Sequence, residues 1–190
     1  MSDESVISSV GETLITLLRQ NMTDIPSPEE SIILYSPGEL GAETTRLMLF
    51  LYAIKENEHM KNQPTQNLDP TMSRYPPLTV DLYYMLTAYP SGETDKTERT
   101  KGAHSLLERA MRIFYDNSIL RGAVLKGCFE NTDVELRLLL TFLPLEEQAQ
   151  IWNTSGDNAL YRLSVFYQVT PVEIESIREV EVHRIVEKVS

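Results

Sequence analysis

Few side chains lie in sequence patterns typical of a catalytic or metal-binding site. Asp81 and Ser164 fall within runs that alternate between apolar and polar residues, and neither has a sequence neighbour that could act as its base. His59 lies beside Glu56 and Glu58, but no second histidine follows at the i+4 spacing of a zinc-binding helix. We therefore expect Asp81 to be a buried polar anchor rather than a catalytic acid, and we predict no metal site.

Other motifs of catalysis are missing from the sequence. It contains no glycine-rich phosphate loop, no nucleophile elbow, and no paired histidines or cysteines at ligand spacing. Cys128 is the only cysteine, which excludes an internal disulfide and a cysteine-rich metal site. The three histidines could still converge in space, because distance along the chain does not prevent it. The sequence offers no enzymatic mechanism, so we expect a protein that is not an enzyme and needs no cofactor.

The length and net charge of the chain indicate how many domains it forms and what kind of partner it binds. The chain of 190 residues fits one domain, 1–190, and its formal net charge of −11 argues against binding to nucleic acid or anionic lipid. No apolar run approaches the roughly 20 residues of a membrane span, and the first residues are acidic rather than basic. We expect synthesis and folding in the cytoplasm, and a protein as the partner.

The strongest local pattern is a proline-stiffened segment that runs into a long strand, RYPPLTVDLYYMLTAYP. Pro76 and Pro77 fix φ and remove two backbone donors, so the strand can begin only at Leu78. Alternation then continues for about a dozen residues. A second strand over 47–54 is apolar on both sides, which predicts a central place in the sheet. Residues 55–73 between the two strands are predicted to form a long loop.

Two main helices are predicted around these strands. The first is capped by Ser2 and Asp3 and runs to about Asn21, and the second shows an apolar stripe from Ala103 to Phe114. A short helix follows Pro144. Further strands are predicted at 32–35, 134–142 and 161–169, the last of these stopped by Thr170-Pro171. The fold class is therefore α+β, a single domain with a mostly antiparallel or mixed sheet packed by two main helices.

The C-terminal segment 172–190 is rich in β-branched residues and alternates in two registers, which predicts an extended conformation. A chain that ends in such a segment presents unpaired backbone groups. It either completes the sheet of its own subunit or adds to the sheet of a neighbour, and the sequence leaves both open.

Several segments, taken in order, resemble a known family. RYPPL is followed by DLYYMLTAY, then by YDN, and then by LEE with a tryptophan after it. In this order they resemble the tail terminator, or cap, proteins of phage-tail-like contractile injection systems, and in particular their N-terminal domain family. The resemblance extends over almost the whole chain, through SVISSVGETLITLLR, IPSPEESIILYSP, LYAIKENEHMKN and YRLSVFYQVTPVEIES.

The resemblance implies a ring-forming structural protein. A homohexamer would sit on the distal end of the tube and sheath and stop their polymerisation, with the sheath and inner-tube proteins as partners. It would be part of a particle that is released or stays inside the cell. No catalytic residues are known in that family, so none are carried over. An alternative is an adaptor or assembly chaperone that binds a tail component without staying in the particle.

The contact residues follow from the edge argument together with this resemblance, because contractile sheaths link their subunits by strand exchange. The predicted interface residues are Val172, Ile174, Ile177, Val180 and Val182 on the C-terminal segment, and Arg74 and Tyr75 before the prolines. The alternatives are a strand completed within the same subunit and a purely structural turn.

Overall fold

Two long antiparallel strands form the centre of the fold in a computed structural model of the chain. Strand β5 (Leu78–Ala88) and strand β8 (Ser164–Ile174) pair along their whole length, from Leu78 opposite Ile174 to Thr87 opposite Ser164. The structure describes residues 5–39, 44–61, 63–67, 72–89, 95–154 and 161–181. The predicted long strand after the two prolines is confirmed.

Four shorter strands complete a six-stranded main sheet of order β1-β2-β5-β8-β7-β6. Every neighbouring pair is antiparallel except β1 with β2, which is parallel, so the sheet is mixed. A small sheet of order β3-β4-β9 lies beside it. The additional strands are β1 (Ile32–Leu34), β2 (Leu47–Glu56), β3 (Gln66–Asn67), β4 (Met72–Arg74), β6 (Ile119–Arg121), β7 (Glu135–Thr141) and β9 (Glu179–Glu181).

Helices α1 (Val6–Asn21) and α3 (Lys96–Asp116) cover one face of the main sheet, and the fold is α+β with two main helices, as predicted. Helix α1 follows Ser5, and Ser2 and Asp3, predicted as its cap, lie outside the described residues. The buried side chains between them and the sheet form the main core, which includes Val10, Leu14, Leu18, Leu82, Leu107 and Phe114. Two shorter helices are α2 (Pro28–Ser31) and α4 (Leu145–Thr154). Trp152 of α4 is 2% exposed and packs on the opposite face with Met48, Met85 and Phe166.

Gly11 lowers the intrinsic helix propensity of α1, and the packing of the helix explains why it is there. A Cβ at this position would lie 2.8 Å from a methyl group of Leu34, so the absence of a side chain lets α1 lie close to β1. Helix α3 is longer than predicted. Its N-cap is Asp95, whose side chain accepts a hydrogen bond from the Glu98 amide at 2.9 Å, and its first half is largely exposed.

Three expectations about the strands need correction. Strand β2 is second in the order rather than central, and from Ala53 onward it is exposed. The predicted loop 55–73 also contains the end of β2 and strands β3 and β4. Strand β8 continues past Pro171, because the ladder to β5 is irregular between Val80 and Leu82. At a bulge the sheet needs no donor from proline, so the predicted stop was wrong.

A buried polar cluster marks that irregularity and confirms Asp81 as an anchor. Asp81 is 7% exposed, and its Oδ1 accepts hydrogen bonds from Asn57 Nδ2 at 2.8 Å and Thr170 Oγ1 at 2.5 Å. Asn57 Oδ1 in turn accepts from the backbone amides of His59 and Met60, at 3.0 and 3.1 Å. The chain leaving β2 is thereby tied to the central strand pair.

We predict that Asn57→Ala lowers the free energy of unfolding by about 2 kcal/mol, because it removes hydrogen bonds on both sides of a buried amide and leaves partners unsatisfied. Urea denaturation measures the change. Asn153→Ala, at an exposed position near the end of α4, is the matched control and is expected to stay within about 0.5 kcal/mol of the unmodified protein. Equal stability of the two variants would contradict the anchoring role.

Candidate assembly interface

The structure brings together the two segments that the sequence predicted separately as contact sites. Strand β4 pairs with β9, so that Ser73 lies opposite Val180 and Arg74 lies opposite Glu179. The amide of Tyr75 donates a hydrogen bond to the carbonyl of Arg178 at 3.0 Å. The segment before the prolines and the segment after β8 are therefore neighbours within one subunit.

Charged and aromatic contacts hold the small sheet together. The Arg74 guanidinium lies 3.2 Å from a Glu179 carboxylate oxygen and 3.7 Å from a Glu175 carboxylate oxygen. The Arg178 guanidinium lies 4.4 Å from the centroid of the Tyr75 ring, a cation–π contact. Tyr75 remains 38% exposed, so this end of the molecule presents an aromatic ring among charges.

The predicted interface residues on the C-terminal segment differ widely in accessibility. Val172 is fully buried and lies opposite Val80 in the main sheet, and Ile174 is half-buried opposite Leu78. Ile177, between the two sheets, is 100% exposed. Val180 contributes its backbone to β9, and Val182 lies outside the described residues. The segment thus pairs within the subunit as far as β9, and the Ile177 side chain is fully accessible to solvent.

A second exposed apolar surface lies at the opposite end of β8, between α3 and β7. A groove of about 340 Å³ runs between these two elements, and a hollow of about 430 Å³ adjoins it. Phe142 is 87% exposed, Tyr115 81% and Leu140 60%. We call this surface the α3–β7 groove; its apolar lining includes Met111, Phe114, Tyr115, Leu138, Leu140 and Tyr167.

The apolar alternation of the predicted strand 134–142 continues to Leu140 and Phe142, but these two side chains lie outside the core. The core ends at Leu138, which is 3% exposed. The run of three leucines, 138–140, is the signal that sequence reasoning missed, because apolar residues on both sides of a strand end indicate a surface that needs a partner. A third hollow, of about 290 Å³, was also missed; it lies beside Leu34, Tyr35 and Phe50 at the β1 edge of the sheet.

Three tyrosine side chains of the main sheet and its end, Tyr52, Tyr89 and Tyr167, are partly or fully buried. Burial raises the pKa of Tyr52, Tyr89 and Tyr167 to about 12, so these phenols keep their protons at neutral pH. The buried hydroxyl of Ser164 is hydrogen-bonded to that of Thr87 at 2.7 Å, and Cys128 is half-buried.

Among the residues that the structure describes, no three histidine, cysteine, aspartate or glutamate side chains cluster closely enough to hold a metal ion. Nor does any helix in the described ranges have the length and apolar content needed to cross a bilayer.

Folds of this kind occur in the terminators of contractile injection systems. The sheath/tube terminator of the PVC extracellular contractile injection system, in its extended state, matches with a TM-score of 0.60 at 17% identity, over 100% of this chain and 66% of that one. The tube-terminating cap of the anti-feeding prophage matches with a TM-score of 0.64 at 16% identity, over 98% of this chain and 61% of that one. The chain thus spans less than two thirds of the length of each of these proteins.

The chain belongs to the Pvc16 N-terminal domain family, whose model matches residues 9–188. No curated protein matches the sequence. The family match and the two shared folds confirm the resemblance to tail terminators that was drawn from the sequence.

We predict that Arg74→Ala loosens the small sheet, because it removes both carboxylate contacts that join β4 to the segment leading into β9. Amide hydrogen exchange within β9 is expected to accelerate several-fold, in line with about 1 kcal/mol for a partly exposed ion pair. Arg112→Ala is the control, since its ion pair with Glu108 lies on the exposed surface of α3. Unchanged exchange in β9 would show that the backbone pairing needs no support from Arg74.

Proposed function

We propose that this protein is a structural cap that ends the polymerisation of tube and sheath at the distal end of a contractile, phage-tail-like particle, acting as a homohexameric ring. It binds other proteins and catalyses no reaction. Family membership and the fold shared with two terminators support this function. Its partners are the sheath and inner-tube proteins of the same particle.

The observation that carries the proposal is a pair of unlike exposed apolar surfaces at the two ends of β8. Tyr75, Leu78 and Ile177 lie at one end, and Tyr115 and Phe142 lie at the other. A subunit that only has to remain soluble gains nothing from side chains such as Ile177 and Phe142, which are almost wholly in water. Two different surfaces on one subunit are what a layered assembly of rings requires, because each ring meets unlike neighbours above and below.

Capping follows when only one of the two ends matches the growing particle. A ring that binds the last tube and sheath layer through one end, and presents a different surface at the other, leaves no site for a further layer. The net charge of −11 fits protein partners better than nucleic acid. Binding energy at such an interface comes from a few buried aromatic and apolar anchors rather than from its total area.

We predict that the protein forms a hexamer by native mass spectrometry, alone or when mixed with its tube and sheath proteins, and that it is found at one end of purified particles. A strict monomer under both conditions would exclude a ring. If the protein binds a tail component but is absent from finished particles, it is instead an assembly chaperone or adaptor.

Deleting the gene is expected to give tails of uncontrolled length, and uniform tails in the deletion strain would contradict a terminator.

We further propose that the small sheet, with Arg74, Tyr75 and Ile177, contacts another subunit of the assembled particle. The double variant Arg74→Ala, Tyr75→Ala is expected to reduce the fraction of capped particles at least tenfold, because it removes both the aromatic surface and the guanidinium that orders it. The double variant Lys96→Ala, Arg99→Ala on the exposed half of α3 is the control. Normal rings and normal capping by the first variant would reject this contact.

A further inference from the structure

The main sheet ends on each side in an edge that is covered over only part of its length. On one side, β1 pairs with residues 47–49 of β2, and no described strand pairs with the outer side of 50–56, which we call the β2 edge. On the other side, β6 pairs with residues 135–137 of β7, and no described strand pairs with the outer side of 139–141, which we call the β7 edge. Each side of the sheet therefore has a step, where the short outer strand ends and the next strand is left uncovered.

The two steps are complementary. Because the pairs β2–β5, β5–β8, β8–β7 and β7–β6 are all antiparallel, β2 and β6 run in the same direction and β7 runs against them. Strand β1 covers the start of β2, whereas β6 covers the opposite end of the sheet. When the β2 edge of one copy faces the β7 edge of another, β1 of the first copy and β6 of the second can lie end to end between the two edges. In that row β6 lies beside the β2 edge, and β1 lies beside the β7 edge.

We propose that neighbouring copies of this chain join through these two edges, so that the main sheets continue from one subunit to the next. The proposal rests on the ring proposed above and names its lateral contact. The contact is between unlike surfaces, which is the kind of contact that closes a cyclic ring. Strand pairing would satisfy the open backbone groups of both edges.

The registers within the main sheet show which residues of the two edges lie at the same level in one subunit. Through β5 and β8, Leu140 is level with Leu51, and Arg137, which pairs with Ile119, is level with Lys55. A slide of about two residues between copies, as the strand tilt of a closed sheet produces, places Leu140 opposite Leu34 and Ile119 opposite Ala53.

This alignment keeps every side chain on its own face of the sheet. Leu34 and Leu140 both point to the face that carries α1 and α3, since each lines a hollow beside one of those helices. Leu34 is 38% exposed and Leu140 60% exposed in the single subunit. On the same face, Leu120 of β6 comes beside Ile54, which is 51% exposed. The joint thus covers apolar side chains from both edges.

Arg121, at the end of β6, is exposed and forms no ion pair within the described ranges. The same alignment places Arg121 opposite Lys55 of β2, whose amino group lies 2.6 Å from the Glu58 carboxylate. The two cations can share that carboxylate, and the apolar pairs, rather than charge, account for the preference for a second copy.

Engineered disulfides test the joint directly. In a Cys128→Ser background, Ala53→Cys and Ile119→Cys are combined in one chain; both positions are exposed, and neighbouring strands place opposite Cα atoms at a distance that a disulfide can bridge. Mild oxidation of the hexamer is expected to give a covalent ladder up to six subunits. The pair Ala53→Cys with Ile177→Cys, and each single cysteine, are expected to give none.

A second variant tests the joint without cross-linking. Leu140→Lys places a charge within the contact and is expected to weaken the ring at least tenfold, whereas Leu145→Lys on α4, at a residue 63% exposed, is the control and leaves it unchanged. Intact rings with no disulfide ladder, or cysteines that cross-link to tube or sheath protein instead, would overturn the joint and leave the capping function standing. A wild-type protein that never forms rings would remove the proposed function itself.

Discussion

The antiparallel pairing of β5 with β8 is the constraint on which the rest of the structure depends. Both strands are covered by apolar side chains on their two faces, and helices α1, α3 and α4 pack against them. Because Pro77 immediately precedes β5 and residue 175 immediately follows β8, the chain segments beyond the pair emerge at the same end of the sheet. They meet there as β4 and β9, so the small sheet is an extension of the central pair.

The sequence predicted those elements whose pattern is set by neighbouring residues. The prolines 76–77 and the alternation after them fixed the start of β5, and the stripe from Ala103 to Phe114 located α3. The sequence-based prediction failed where pairing with a distant segment allows a residue that would otherwise end a strand. Pro171 reads as a strand stop, yet it lies in a bulge of β8, where Thr170 and Pro171 together face Asp81 of β5 and no ladder donor is needed. Nothing near residue 171 in the chain records that bulge.

The candidate interface was predictable to a similar extent. Arg74, Tyr75 and Ile177 could be singled out because prolines and unpaired extended segments indicate unusual backbone needs. That they lie side by side depends on a pairing across more than a hundred residues, which no local pattern contains. The α3–β7 groove and the open edges were missed, because a strand pattern shows which residues can be buried but not where a neighbouring strand is too short to cover them.

The partial covering of both edges also bears on the life of the subunit before it is assembled. A long, flat, open edge is a template on which any extended chain can grow, and cells dispose of proteins that aggregate in this way. Here each three-residue flanking strand shortens the open row, and Arg19 occupies the carbonyl of Ile32 on β1 through two hydrogen bonds, at 3.1 and 2.9 Å. The shortened row leaves a foreign strand fewer consecutive backbone groups to pair with.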